Sequence, residues 1–238
     1  MPLETLVDKP SFLAEALGAR IVSLARDAIA ARGAFSMALP GGSVATTVFP
    51  VLARLPLDWT RIDFFWGDER AVPSDHPDSN YGLARSLWLD AAKVPAERVH
   101  RMEAEAPDPA RAAAAYEALL VERAGRPPRL DLALLGVGPD GHVCSLFPGH
   151  PLLEERERWV AVIEDSPKPP PRRLTLTLPA VAAARLVVVA ALGRGKAEVV
   201  REALEDPASR LPLALVARQA SQAWFLLDPG AAALLRGR

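Results

Sequence analysis

The chain has 238 residues, half of them hydrophobic, which suits one α/β domain spanning residues 1–238. Its formal net charge is -1, so no global positive field is available to bind nucleic acid or an anionic membrane. A single cysteine excludes an internal disulfide, and neither a secretory signal nor an apolar segment of about 20 residues occurs. These properties predict a cytoplasmic protein.

The first half of the chain predicts a long helix followed by a strand, a glycine turn and a second helix. Apolar side chains at helical spacing predict a helix over residues 11–31, and the apolar run Phe35–Leu39 predicts a strand. Gly41 and Gly42 end this strand in a turn, and Ser43 is expected to be the N-cap of the next helix. The elements expected after it are a strand at Ile62–Trp66, a polar loop at 67–80, and helices at 81–91 and 107–123.

The second half alternates apolar runs with loops. The elements expected here are strands at 130–137, 160–164 and 185–192, loops at 138–148 and 166–173, a short element at 174–178, a helix at 196–205, and short strands at 213–216 and Ala223–Leu227. Because apolar strands alternate with helices, the sequence predicts an α/β fold with a mostly parallel, Rossmann-like sheet and helices on both faces. In such sheets ligands bind outside the carboxyl ends of the strands.

The turn containing Gly41 and Gly42 is a candidate anion site. Glycines allow consecutive backbone N–H groups to surround an anion, and the helix that follows adds its N-terminal dipole. The segment is neither a Walker loop nor a GxGxxG fingerprint, so an ordinary tight turn explains it equally well.

Charged residues follow the strand Ile62–Trp66 directly. Arg70 could clamp a phosphate or carboxylate, and Asp68 could act as a base or fix the loop. A solvated loop with local ion pairs is the simpler alternative. The length of the polar stretch 67–80 favours a functional loop.

The next candidate loop places Asp140 and His142 two residues apart among three glycines. Histidine titrates near neutral pH and is the commonest general base, and a neighbouring carboxylate fixes its tautomer. No Gly-x-Ser-x-Gly elbow occurs, and Ser145 lies on the same loop, so a serine-hydrolase triad is not indicated. The pattern fits a histidine that activates water, or a structural histidine bonded to its turn. Zinc binding that also used Cys144 and His150 would lack the usual ligand spacing.

Two further cations complete the candidates. Arg173 ends the proline-rich loop at 166–173, and Lys196 opens the helix at 196–205. A lysine at a helix N-terminus opposes the helix dipole, which suggests an anion nearby. Arg172 is expected to be ordinary surface charge.

In their order along the chain, these segments resemble the 6-phosphogluconolactonase family. The segments that carry the resemblance are LPGGS at 39–43, DER at 68–70, SNYG at 79–82, LGVGPDGH at 135–142, SLFP at 145–148, RLTLTLP at 173–179 and GKA at 195–197. The resemblance implies a three-layer α/β/α domain, of the type shared with glucosamine-6-phosphate deaminase and ribose-5-phosphate isomerase. It also implies hydrolysis of 6-phospho-D-glucono-1,5-lactone to 6-phosphogluconate in the pentose phosphate pathway.

The resemblance also assigns expected roles to individual residues. His142 would be the general base, supported by Asp140. The residues expected to bind substrate are Gly41, Gly42, Ser43, Asp68, Arg70, Arg173 and Lys196. The expected ligand is a phosphorylated sugar lactone, with no cofactor and no metal, bound to a monomer or small homo-oligomer. Pro40 stands where many members carry serine, so any contact made by that serine would be missing.

Two other functions remain open at this point. Amino-sugar-phosphate deaminases and isomerases share the fold and the Asp-Gly-His loop, but deaminases carry a glutamate five residues after the histidine. This chain has Phe147 there. The other alternative is a sugar-phosphate-sensing module without catalysis, although the chain shows no basic recognition helix that would link it to DNA.

Overall fold

The computed structural model describes residues 3–236. Its strands are β1 (Leu3–Val7), β2 (Phe35–Leu39), β3 (Ile62–Trp66), β4 (Asp68–Arg70), β5 (Leu132–Gly136), β6 (Val160–Ile163), β7 (Arg173–Leu176), β8 (Leu186–Ala191) and β9 (Ala223–Leu227). Its α-helices are α1 (Pro10–Arg32), α2 (Gly42–Leu52), α3 (Asn80–Ala84), α4 (Pro109–Ala124), α5 (Leu178–Ala182), α6 (Ala197–Glu205) and α7 (Pro212–Gln219). A π-helical turn, Arg85–Leu89, continues α3.

Six parallel strands form the central sheet, in the order β1-β9-β8-β5-β2-β3. Crossovers between parallel strands are right-handed, so connections that run in opposite directions along the sheet place their helices on opposite faces. The helices pack in matching groups, α1 with α2 and α6 with α7. The predicted α/β fold, with a mostly parallel sheet flanked by helices, is confirmed.

The direction of the chain along the sheet reverses between β2 and β5, which are neighbours. From β2 the chain continues through α2 to β3 on one side, whereas from β5 it continues toward β8 on the other. The loops that leave these two strands therefore diverge at the carboxyl ends and open a crevice between them.

Burial on both faces explains the continuous apolar strands. All residues of β3 and β8 are buried. The apolar face of α1 packs into the core through residues at helical spacing, including Leu13, Leu17 and Ile21. This helix ends at Gly33, whose φ of 81° favours glycine and whose N–H donates to the Ile29 carbonyl at 2.8 Å. The packed core therefore holds the strand ends, and the loops that leave them, in fixed positions.

A second sheet of three antiparallel strands, β4-β7-β6, lies beyond the end of β3. Only Gly67 separates β3 from β4, and a Cβ there would lie 2.9 Å from Cys144 Sγ. The pairing of β4 with β7 places Arg70 opposite Arg173. Because β4 lies within the predicted polar loop at 67–80, this small sheet is a feature that the sequence analysis did not predict.

Other details of the predicted elements are wrong. Residues 213–216 lie in α7 rather than in a strand, because a short apolar run fits a buried helix as well as a buried strand. The edge strand β1 was not predicted, and it pairs with β9. Ser43 is not the N-cap of α2. That position belongs to Gly41, and no side chain caps the helix.

Candidate active site

A cavity of about 310 Å³ lies at the carboxyl ends of β2 and β5, where the chain direction reverses. Its wall includes the glycine turn at Gly41 and Gly42, the start of β4, the loop at 138–148 that carries His142 (the histidine loop), the β6–β7 loop and the start of α6. The glycines of the turn and the polar side chains that line it are Gly41, Gly42, Ser43, Asp68, Arg70, Asn80, His142, Cys144, Lys168, Arg173 and Lys196. The structure therefore brings every expected substrate-binding residue to one cavity.

The histidine loop is a closed turn that fixes His142 beside Asp140. His142 Nδ1 lies 2.5 Å from Asp140 Oδ1. The Gly138 N–H donates to the His142 carbonyl at 2.9 Å, and the Leu213 N–H at the start of α7 donates to the Gly141 carbonyl at 3.1 Å. A Cβ on Gly138 would lie 2.0 Å from both Cε1 and Nδ1 of His142. Glycine at 138 is therefore required for the imidazole to occupy this position.

The electrostatic environment keeps the imidazole neutral and the carboxyl ionised. Burial raises the pKa of Asp140, but hydrogen bonds and charges from His142 and Lys168 outweigh it and lower that pKa to about 2. Burial, assisted by Lys168, lowers the pKa of His142 below 6.5 against the opposing influence of Asp140 and Asp68. With Nδ1 donating to the carboxylate, a neutral imidazole has its basic lone pair on Nε2.

The two glycines of the turn meet different structural needs. α2 begins at Gly42, and the N–H groups of its first turn have no acceptor within the helix. Gly42 has a φ of 63° with open space around it, whereas a Cβ on Gly41 would lie 1.7 Å from Asn80 Oδ1. The helix terminus with its exposed donors favours an anion in the adjoining cavity.

Arg70 and Arg173 oppose each other across β4 and β7. Like charges in opposed strand positions destabilise a sheet, so negative charge is needed nearby. Asp68 supplies part of it, with Oδ2 3.9 Å from Arg173 Nη1 and bonded to Ser145 Oγ at 2.7 Å. Burial lowers the pKa of Arg173, Asp68 raises it, and Arg70 lowers it further. This wall of the cavity is therefore suited to an anionic ligand.

Both arginines also fix loops. Arg173 is 4% exposed, and its Nε and Nη2 donate to the carbonyls of Pro170 and Lys168 at 3.1 and 3.0 Å. Arg70 Nη1 donates to the Asp78 carbonyl at 2.6 Å. Arg173 therefore ties the proline-rich loop to β7, and this brings Lys168 to the cavity.

Glu69 fixes the segment that carries Asn80. Its buried carboxylate accepts from the backbone N–H groups of Arg70, Asn80 and Tyr81, each at 2.8 Å, and from Ser79 Oγ at 3.1 Å. Burial raises the pKa of Glu69 against these donors. The loop after β4 is therefore held by specific bonds, although its composition is that of a solvated loop.

The remaining polar groups of the cavity differ in chemical character. Lys196 is half-buried at the start of α6, where burial and then the charge of Lys168 lower the pKa of its ammonium. Burial and Asp68 raise the pKa of the Cys144 thiol, which disfavours its nucleophilic thiolate form. The positive charges of Lys168 and Lys196 therefore repel each other, which favours an anionic ligand in the cavity.

Three residues that contact groups of the cavity wall are not among the site residues expected from the sequence: Lys168, Asn80 and Ser145. Lys168 lies in the proline-rich loop after a predicted strand, and this position is the only signal that pointed to it. Within residues 3–236, no three His, Cys, Asp or Glu side chains are grouped so that they could share a metal ion.

Comparison with known proteins supports the expected family. The chain matches the family described as "Glucosamine-6-phosphate isomerases/6-phosphogluconolactonase" over residues 8–225. It is 42% identical over 236 residues to the 6-phosphogluconolactonase of Streptomyces coelicolor, covering 94% of this chain and 90% of that protein. The rat 6-phosphogluconolactonase is 44% identical over 211 residues, which cover 86% and 82% of the two chains. A solved structure of 6-phosphogluconolactonase from Trypanosoma brucei superposes with a TM-score of 0.85 at 31% identity, covering 98% of each chain.

Proposed function

The chain belongs to the glucosamine-6-phosphate isomerase/6-phosphogluconolactonase family, and we propose that His142 is the general base with which it hydrolyses 6-phosphogluconolactone. The observation that carries this assignment is the Asp140–His142 pair at a cavity lined by cations. The ionised carboxylate accepts a hydrogen bond from Nδ1–H, which leaves the lone pair of Nε2 free to accept a proton from water. A lactone has an electrophilic carbonyl that hydroxide attacks directly, so no covalent intermediate with the protein is needed.

The reaction balances with water as the only co-reactant. His142 takes a proton from water, the resulting hydroxide attacks the lactone carbonyl, and a tetrahedral oxyanion forms. When the bond to the ring oxygen breaks, the imidazolium returns its proton to that oxygen, so the product carries a new carboxyl and a new hydroxyl group. A positioned base contributes about 10²–10⁴-fold to such a reaction.

The rest of the cavity binds the phosphate and the sugar in this proposal. Arg70 and Lys196 supply positive charge, and the N–H groups of Gly42 and Ser43 supply directional donors for phosphate oxygens. Arg173 adds charge while it fixes the loop, and Asp68 lies close enough to Arg173 to offset part of that charge. Pro40 provides no side-chain donor, so the backbone of the turn carries this part of the binding.

Phe147 separates this activity from amino-sugar deamination. It is 2% exposed, and its ring centroid lies 4.9 Å from that of His142. An apolar ring cannot transfer the proton that opening of an amino sugar requires, but it can hold the imidazole and contribute to its burial. We therefore expect no ammonia release from glucosamine 6-phosphate.

The deciding experiment follows the disappearance of freshly made 6-phosphogluconolactone in three samples, each measured with and without a chelator. Buffer alone gives the spontaneous rate, and wild-type protein should accelerate the loss. His142→Gln should lower kcat by about 10²–10⁴-fold with a smaller change in KM. An unchanged kcat in this variant would exclude His142 as the base, and inhibition of the wild type by chelator would contradict a metal-free mechanism.

The expected surroundings of this reaction are also proposals. We propose that the protein works in the cytoplasm as a monomer or small homo-oligomer, and that it binds no nucleic acid. No helix in the described part of the chain has the length and apolar character of a membrane span. Size-exclusion chromatography with light scattering will determine the oligomeric state.

A further inference from the structure

Lys168 lies beside the catalytic pair without a role in the mechanism described above. Its Nζ lies 3.1 Å from both Oδ1 and Oδ2 of Asp140 and 3.2 Å from Nδ1 of His142. The side chain is 36% exposed and reaches the cavity from the loop between β6 and β7. It is therefore in contact with the pair through which the base is expected to act.

The backbone at Lys168 is fixed by buried groups. Its carbonyl accepts from Ser166 Oγ at 2.9 Å and from Arg173 Nη2 at 3.0 Å, and its N–H donates to Ser166 Oγ at 3.2 Å. Ser166 and Arg173 are 8% and 4% exposed. These bonds distinguish Lys168 from a surface lysine whose ammonium meets a carboxylate by chance.

Hydrogen-bond geometry shows whether the Lys168 ammonium donates to Asp140 or to His142. A neutral imidazole nitrogen either donates or accepts, so Nδ1 of His142 cannot donate to Asp140 and accept from Lys168 at once. The 2.5 Å contact with Asp140 is much shorter than the 3.2 Å contact with Lys168, and this favours donation to the carboxylate. Asp140 is acceptor-only when ionised, so it can receive both donors.

We propose that Lys168 is a positioning residue for lactone hydrolysis, whose ammonium holds the Asp140 carboxylate beside His142 and keeps the imidazole neutral in the free enzyme. The inference rests on the proposed function, because it concerns the same base. Lys168 acts through Asp140 and through its own charge, and it requires no contact with the reacting atoms.

The charges around His142 determine the direction of the effect. Asp140 and Asp68 raise the pKa of His142, whereas burial and Lys168 lower it. Phe147 covers the ring without charge, and Lys196 lies near enough to Lys168 and Asp140 for both to influence its own pKa. Without the Lys168 charge, less positive charge opposes the effect of the two carboxylates, so the pKa of His142 rises.

The test compares Lys168→Met, Lys168→Arg and Lys9→Met, where Lys9 is an exposed lysine outside the cavity. The kcat/KM of each variant is measured between pH 5 and pH 8 with the spontaneous rate subtracted. Lys168→Met should move the acidic limb upward by on the order of 1 pH unit, because one neighbouring charge shifts a pKa by about that amount. Lys168→Arg and Lys9→Met should keep the wild-type limb. A higher KM at every pH with an unmoved limb would overturn the proposal and make Lys168 a substrate-binding residue.

A second measurement does not depend on turnover. The ring Cε1–H signals of the four histidines are titrated by NMR. The signal of His142 is the one that is missing from the spectrum of His142→Gln. Lys168→Met should raise the titration midpoint of His142, and an unchanged midpoint would overturn the proposal. If the wild type lacks lactonase activity, the proposed function fails, whereas this midpoint still reports whether Lys168 acts on His142. If the wild type is active and neither the midpoint nor the limb moves, only the inference about Lys168 fails.

Discussion

A single methyl group at residue 138 should separate the base from its carboxylate. In Gly138→Ala, the new Cβ would lie 2.0 Å from His142 Cε1 and Nδ1 and 2.5 Å from Asp140 Oδ1. The imidazole must retreat by roughly 1.5 Å to restore ordinary contact. A misplacement of about 1 Å can cost about 10²-fold in rate, and complete loss of a positioned base costs about 10²–10⁴-fold. We therefore expect kcat to fall within this range.

The assay is hydrolysis of fresh 6-phosphogluconolactone by Gly138→Ala, with Gly195→Ala as the matched control. Gly195 has no atom within 4 Å of a built Cβ, and its φ is not positive, so its substitution should leave kcat nearly unchanged. The KM of Gly138→Ala should change little, because the cations and the glycine turn keep their positions. A wild-type kcat in Gly138→Ala, with folding confirmed by circular dichroism, would refute the claim that this placement of His142 drives catalysis.

Three further predictions concern the same cavity. Gly41→Ala should lower the free energy of unfolding by about 1–3 kcal/mol in urea titrations, because its Cβ would lie 1.7 Å from Asn80 Oδ1; full stability would refute this. Asp140→Asn should lower kcat by about 10²–10⁴-fold with a smaller change in KM, since a neutral amide lacks the charge that fixes the Nδ1–H tautomer and stabilises the imidazolium; steady-state kinetics will decide. The acidic limb of kcat/KM should lie below pH 6.5, because burial lowers the pKa of His142 and activity falls only as pH drops through that lowered value; a limb above pH 6.5 would contradict it.

Elements with a strong local signal were predictable from the sequence. The strands Phe35–Leu39, Ile62–Trp66 and Ala223–Leu227 occur with the predicted bounds, because their short apolar runs end at turn residues. The prediction of a strand at 213–216 was wrong, because length and hydrophobicity do not distinguish a short buried strand from a buried helix. Only the packing of α7 against α6 and α5 distinguishes them.

The clustering of the site residues was predictable, but their bonding was not. Loops after parallel strands meet at one edge of a sheet, which was enough to expect Gly42 and His142 together. Lys168 reaches the same point through a small antiparallel sheet whose strands are too short to show periodicity. Its position depends on Arg173, whose guanidinium donates to the carbonyl of Lys168 five residues earlier, and no periodicity of the sequence indicates such a side-chain hydrogen bond.

The two sheets position different groups of the site. The parallel sheet places the helix terminus at Gly42 and the His142 loop on either side of the point where the chain reverses, so donors and base face one cavity. The small antiparallel sheet adds Arg70 and Arg173 at an opposed position that is unfavourable for the sheet itself. Asp68 offsets that cost only in part, so a bound phosphate would stabilise the arrangement. The cavity is thus assembled in a form whose electrostatic energy improves when an anionic substrate binds.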